Sequence, residues 1–264
     1  MEKLKRQLEF IKASNSPAFM MHIVAGYPDM DSSERIAQQI LASGANLLEI
    51  QIPFSDPVAD GPVIASANEA SLKNGTTVES SLEMIRRISD GTDKPILIMT
   101  YFNIIHHFGV EAFCQKAQKI GVQGLIVPDY PYDEEGGNAL IQQCQSNQLA
   151  LIQVLASTTR PERIAGIVSN ASGFVYCMAR TGTTGQKTEI GPETLGYLKT
   201  VRENCSLPMA VGFGLSERGQ VEVLQSYADI MVVGSALIKQ YENKTLEAGV
   251  KAVESFLGKL INPQ

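Results

Sequence analysis

A short apolar run rich in β-branched residues returns eight times along this chain. The runs are "FMMHIVAG" from Phe19, "LLEIQI" from Leu47, "PILIMTY" from Pro95, "VQGLIVP" from Val122, "ALIQVLA" from Ala150, "GFVYCMA" from Gly173, "PMAVGFG" from Pro208 and "ADIMVVG" from Ala228. Between them lie longer stretches with apolar residues three or four apart, such as "SERIAQQILASG" from Ser33 and "VEAFCQKAQKIG" from Val110, with Gly44 and Gly121 as helix stops. Strict alternation of strand and helix specifies a parallel sheet, and eight strands specify closure into a (β/α)8 TIM barrel. A doubly wound open sheet is the alternative, but no GxGxxG follows the first strand. The amphipathic, charged start "MEKLKRQLEFIKASNS" predicts an additional N-terminal helix and lacks the features of a signal peptide. No linker divides the chain, so residues 1–264 are expected to form one domain.

Composition narrows the function. A hydrophobic fraction of 44% supports a sizeable core, which argues against disorder. A net charge of −6 without a basic block argues against nucleic acid and anionic membranes as partners. No apolar stretch is long enough to span a bilayer, and a cytoplasmic location is expected. Cys114, Cys144, Cys177 and Cys205 are scattered without a CxxC pair and read as small buried hydrophobes. His106 and His107 read as loop neighbours pointing apart, so no metal site is expected.

The stretch "LLEIQIPFSDPVADGP", residues 47–62, places a carboxylate inside a strand and two more in the turn behind it. A buried carboxylate costs stability unless it is paired, hydrogen-bonded or functional. Leu48, Ile50 and Ile52 share one face of the strand, while Leu47, Glu49 and Gln51 share the other. Outward residues lie under helices, so Glu49 and Gln51 are expected to face the barrel mouth. Asp60 in "ADGP" is either a second functional acid or turn chemistry. Asp56 in "FSDP" and Asp129 in "VPDYP" are open between turn caps and contacts with a partner.

Two glycine-rich segments, "VGFGLSERG" from Val211 and "VVGSALIK" from Val232, follow strands seven and eight. Backbone N–H groups there can hold a phosphate without a cationic side chain, with Ser235 adding a hydroxyl. A third segment, "ARTGTTGQKTEIG" from Ala179, is too long for an ordinary connection and reads as a lid.

With these motifs in place, the chain resembles the family of tryptophan synthase α subunits over nearly its full length. The resemblance runs from "VAGYPD" through "PFSDPVADGP", "GLIVPDYP", "ARTGTTG" and "GFGLS" to "GSALI". It implies retro-aldol cleavage of indole-3-glycerol phosphate to indole and glyceraldehyde 3-phosphate. It also implies delivery of indole to a β subunit that carries pyridoxal phosphate, in an α2β2 assembly. No cofactor is expected in this chain. By similarity, Glu49 and Asp60 match the catalytic carboxylates, and Tyr101 and Tyr176 match site-lining tyrosines. Thr184 and Gly185 match the lid; Phe213, Gly214, Gly234 and Ser235 match the phosphate cradle. Pro53, Asp56 and Asp129 are the expected partner-facing residues. The sequence departs from the pattern at Gln51, where the family usually has Gly, and at His22, where it often has an aromatic wall residue. The parity of "MMHIVAG" leaves open whether His22 faces the pocket or backs it. Two other readings stay open: a stand-alone lyase, and a catalytically weakened phosphate-binding regulator of a β subunit.

Overall fold

A computed structural model describes residues 1–14, 16–130, 138–178 and 190–261. All eight apolar runs are strands: β1 (Ala18–Val24), β2 (Leu47–Gln51), β3 (Ile96–Met99), β4 (Gly124–Ile126), β5 (Ala150–Ala156), β6 (Val175–Met178), β7 (Met209–Gly212) and β8 (Ile230–Val233). They pair in parallel in sequence order, and β8 returns to β1 to close the barrel.

The helices before β4 are α1 (Glu2–Ala13), α2 (Met30–Ala42), α3 (Pro62–Lys73), α4 (Val78–Asp90), α5 (Phe102–Phe108) and α6 (Val110–Lys119). After β4 come α7 (Asn138–Ser146), α8 (Pro161–Ser169), α9 (Pro192–Asn204), α10 (Arg218–Leu224), α11 (Ser235–Tyr241) and α12 (Leu246–Ile261). Pairs of helices, not single ones, thus follow β2, β3 and β8. His106 and His107 lie in α5, which corrects their expected place in a loop. The run "FNIIHHF" is short, and its helix ends at Gly109, whose φ of +94° suits glycine. Gly44 and Gly121 likewise follow helix ends with positive φ, as expected of C-terminal stops.

The apolar side chains divide into two layers by strand parity. Leu48, Ile50 and Ile52 join the cluster beneath the helices, as do Phe19, Met21 and Ile23. Ala18, Met20 and Leu47 belong to the cluster inside the barrel. That division places His22 on the inward face with Ala18 and Met20, and Glu49 and Gln51 inward with Leu47. Helix α1 closes the N-terminal end: its Leu4, Leu8 and Ile11 are buried with Met20, Leu97, Phe174 and Ile230. Each such burial contributes about 1.5–3 kcal/mol. Lys3 also anchors α1, donating its ammonium group to the Thr92 carbonyl at 2.6 Å. Among the described residues, the interior is therefore filled from below and free only toward the C-terminal ends of the strands.

Candidate active site

Strand register brings the first pair of polar groups together. His22 and Glu49 are lateral partners in the β1–β2 ladder, and Nδ1 of His22 lies 3.1 Å from Oε1 of Glu49. Their exposures are 4% and 2%, low enough that each is nearly cut off from water. Burial opposes a charged imidazole, but the adjacent Glu49 carboxylate and the more distant Asp60 outweigh it. The His22 pKa is therefore raised above the ordinary histidine value. His22 Nε2 and Glu49 Oε2 are buried without a protein partner, and both residues line the mouth cavity.

The second carboxylate is positioned by the loop after β2. Asp60 immediately precedes Gly61, the N-cap of α3, and Pro62 occupies the first turn, where its missing N–H costs nothing. The positive end of α3 favours an anion at this point. Gln51 donates its side-chain amide to Asp60 Oδ2 at 2.7 Å, and the Tyr101 hydroxyl donates to the same oxygen at 3.1 Å. Burial pushes the Asp60 carboxyl up, opposed in part by the Gln51 bond, the His22 charge and the Tyr101 bond. Tyr101 also accepts the Ala59 N–H at 3.1 Å and stacks on Phe54 with centroids 5.1 Å apart. Asn68, buried on α3, accepts the Phe54 N–H at 2.9 Å and so ties the loop to its following helix.

His22, Glu49 and Asp60 border a cavity of about 490 Å3. Met99, Ile126, Val154 and Ile64 give it apolar walls. Tyr176 projects into it from β6, its phenol pushed well up by burial and by the negative charges of Glu49 and Asp60. The far side is formed by Gly212, Gly214, Gly234 and Ser235. Gly214 has φ +72°, which suits glycine. A Cβ on Gly212 would lie 2.8 Å from the Tyr176 hydroxyl, so the lack of a side chain there makes room for the phenol.

The expected residues therefore do not all stand in the same layer. His22, Glu49, Asp60, Tyr176, Gly214, Gly234 and Ser235 reach the cavity. Gln51 and Tyr101 are fully buried and act on Asp60 from behind. Phe213 is buried at 1% exposure, so its side chain belongs to the core. Thr184 and Gly185, with most of the expected lid, lie outside the described residues. Pro53 is buried, Asp56 and Asp129 are exposed, and Asp129 accepts the Phe102 N–H at 2.8 Å. Gly212, Asn68 and the apolar walls were not singled out from the sequence. Strand parity of β3, β4 and β5 carries the signal for Met99, Ile126 and Val154. Among the described residues, no three His, Cys, Asp or Glu side chains are grouped to hold a metal ion.

The sequence profile described as Tryptophan synthase alpha chain matches residues 8–262. The chain belongs to this family. A tryptophan synthase alpha chain of Desulforapulum autotrophicum is 42% identical over 236 residues, covering 89% of this chain and 92% of the relative. That of Desulfotalea psychrophila is 38% identical over 260 residues, covering 98% and 99%. Among solved structures, Mycobacterium tuberculosis tryptophan synthase is similar with a TM-score of 0.86 and 30% identity, covering 97% of this chain and 96% of that one. A mutant tryptophan synthase alpha-subunit of Pyrococcus furiosus gives a TM-score of 0.85 at 30% identity, covering 92% and 97%.

Proposed function

We propose that Glu49 and Asp60 carry out the reaction of this family at the mouth of the barrel, with Glu49 as proton shuttle and Asp60 as partner of the indole ring. The chain is a lyase of tryptophan biosynthesis, and its half-reaction cleaves indole-3-glycerol phosphate to indole. The observation that carries the assignment is the pair of carboxylates, Glu49 buried and Asp60 half-buried, on one apolar-walled cavity, opposite a glycine-lined edge. A proton from Glu49 passes to indole C3 and makes the ring a cation. Asp60 accepts a hydrogen bond from the ring N–H and stabilises that charge. Glu49 then takes the proton of the adjacent chain hydroxyl. The carbon–carbon bond electrons return to the ring, indole leaves and an aldehyde forms, with the proton count on Glu49 restored. Gly214, Gly234 and Ser235, with the Phe213 backbone, are assigned to the phosphate, whose remote binding fixes orientation.

The family name implies a β subunit as partner. An α2β2 assembly, pyridoxal phosphate confined to that β subunit and a cytoplasmic location complete the reading. No helix among the described residues is long and apolar enough to cross a membrane, which is compatible with it. Indole release from indole-3-glycerol phosphate by the purified chain, wild type against Glu49→Gln, tests the assignment. Loss of at least about 10²-fold is expected for a missing acid–base group. Near-normal cleavage by Glu49→Gln would remove Glu49 from the chemistry.

A further inference from the structure

Each of the two carboxylates has one oxygen tied to the protein. Asp60 Oδ2 takes the Gln51 amide and the Tyr101 hydroxyl. Glu49 Oε1 takes His22 Nδ1, while Oε2 is buried without a protein partner on a residue that lines the cavity. The imidazole has little freedom to turn away. Its Cα is locked opposite that of Glu49 by the β1–β2 ladder. Behind it stands Gly234, where a Cβ would come within 3.4 Å of both Cβ and Cδ2 of the ring residue. No other side chain bonds Glu49 among the described residues, so its orientation depends on this one contact.

We propose that His22 is a positioning residue for Glu49, holding Oε1 so that Oε2 is the oxygen presented to the reacting atoms. The inference rests on the reading of Glu49 as the proton shuttle. Once Glu49 has given its proton to indole C3, the carboxylate left behind is an anion in a site nearly without water. A protonated imidazole 3.1 Å away stabilises that anion until Oε2 recovers a proton from the chain hydroxyl. The titratable groups facing His22 are Glu49 from β2 and Asp60 from the loop beyond it. Tyr176 looks onto the same two acids from β6. Val232, Gly234, Ser235 and Ile64, from β8, α11 and α3, bring nothing that titrates near neutrality.

The test compares the full-length wild type with His22→Phe, His22→Gln and Glu49→Gln, measuring kcat and KM for indole-3-glycerol phosphate across pH. His22→Phe is expected to lower kcat by up to about 100-fold, the scale of a misplaced reacting group, with a smaller change in KM. His22→Gln keeps an amide donor and should recover much of kcat at neutral pH. It should lack the alkaline limb on which His22 gives up its proton. The chain has 3 histidines, so NMR titration of the imidazoles is tractable. The His22 signal should titrate above the ordinary histidine range, and fall to lower pH in Glu49→Gln. A His22→Phe enzyme with wild-type kcat and pH profile, beside an inactive Glu49→Gln, overturns the role of His22 and leaves that of Glu49 standing. Wild-type cleavage by Glu49→Gln overturns both. An imidazole titration unchanged in Glu49→Gln overturns the pairing, whether or not His22→Phe folds.

Discussion

Gln51 holds Asp60 by a 2.7 Å hydrogen bond, so the last residue of β2 fixes a carboxylate nine positions further along the chain. The bond crosses from a rigid strand to a loop, and the loop geometry at the cavity therefore depends on the strand. A glycine at this position would leave Asp60 with the Tyr101 bond alone and would open space beside it.

That relationship makes the two departures from the family pattern testable together. The double variant Gln51→Gly with His22→Phe should change affinity for indole-like ligands more than for glycerol 3-phosphate. Both residues adjoin the carboxylates, whereas the glycine-lined edge proposed for the phosphate is built largely from backbone. Calorimetric titration with the two ligand types reads the difference. Matched changes in both affinities would place neither residue at the indole end.

Asp60 and His22 both have raised pKa values, and both therefore make the fold lose stability as pH rises. For Asp60 the loss begins near the ordinary carboxyl range and is complete once pH passes its raised folded value. For His22 the contribution is full below about 6.5 and is lost as pH climbs through the folded value. Urea unfolding across pH should show Asp60→Asn gaining on the wild type as the solution leaves the acid range. His22→Phe should lack the decline above neutrality. Parallel curves for Asp60→Asn and wild type would mean that Asp60 has no raised pKa in the fold.

At the glycine-lined edge, Gly212→Ala should displace Tyr176, because the new Cβ would sit 2.8 Å from its hydroxyl and 2.9 Å from Cε1. The expected result is a loss of stability by about 1–3 kcal/mol, typical of overpacking, read by urea unfolding. Ser235→Ala removes only a donor and should cost about 1 kcal/mol in glycerol 3-phosphate affinity. Gly234→Val should be more severe, since its Cβ already touches His22 and Ile64 at 3.4 Å and two methyl groups follow. Equal glycerol 3-phosphate affinity for wild type and Gly234→Val would move the phosphate to another place.

The loop after β2 also carries the prediction about a partner. Val58 is 82% exposed, unusual for an apolar side chain, and Asp56 beside it is exposed as well. A β subunit seated on this loop would bias the arrangement that sets Asp60 against the substrate. Acceleration of roughly 5–150-fold over the isolated chain is expected for ordinary coupling. Asp56→Ala should weaken the acceleration and spare the slow basal rate, as measured by indole release with and without β subunit. An isolated chain as fast as the mixture would instead support a stand-alone lyase.

The barrel was legible because its signal is repeated: eight runs with the same period are hard to arrange in another way. Glu49 was legible because a carboxylate among apolar neighbours has only one tolerable face. His22 was not, since a seven-residue strand of continuous burial carries no polar alternation by which to count. Its direction follows from pairing with β2 and β8, which is long-range information. Tyr101 looked like a wall residue and stands instead behind Asp60, because the loop folds back over it. Asn68 was invisible for a related reason: its partner, the Phe54 N–H, is brought near only when α3 packs against the preceding loop. The two histidines of α5 were misplaced because a seven-residue helix shows too little periodicity to be read.

The plug formed by α1 has a consequence for traffic. With Leu4, Leu8 and Ile11 sealing the floor, the described residues leave the vessel a single end at which cargo can come and go. On the proposed assignment of the site, indole, the smaller and more oily product, would leave through the rim that admitted its parent. Whatever protein sits on that rim becomes the next compartment by position alone, with no tunnel needed through the barrel itself.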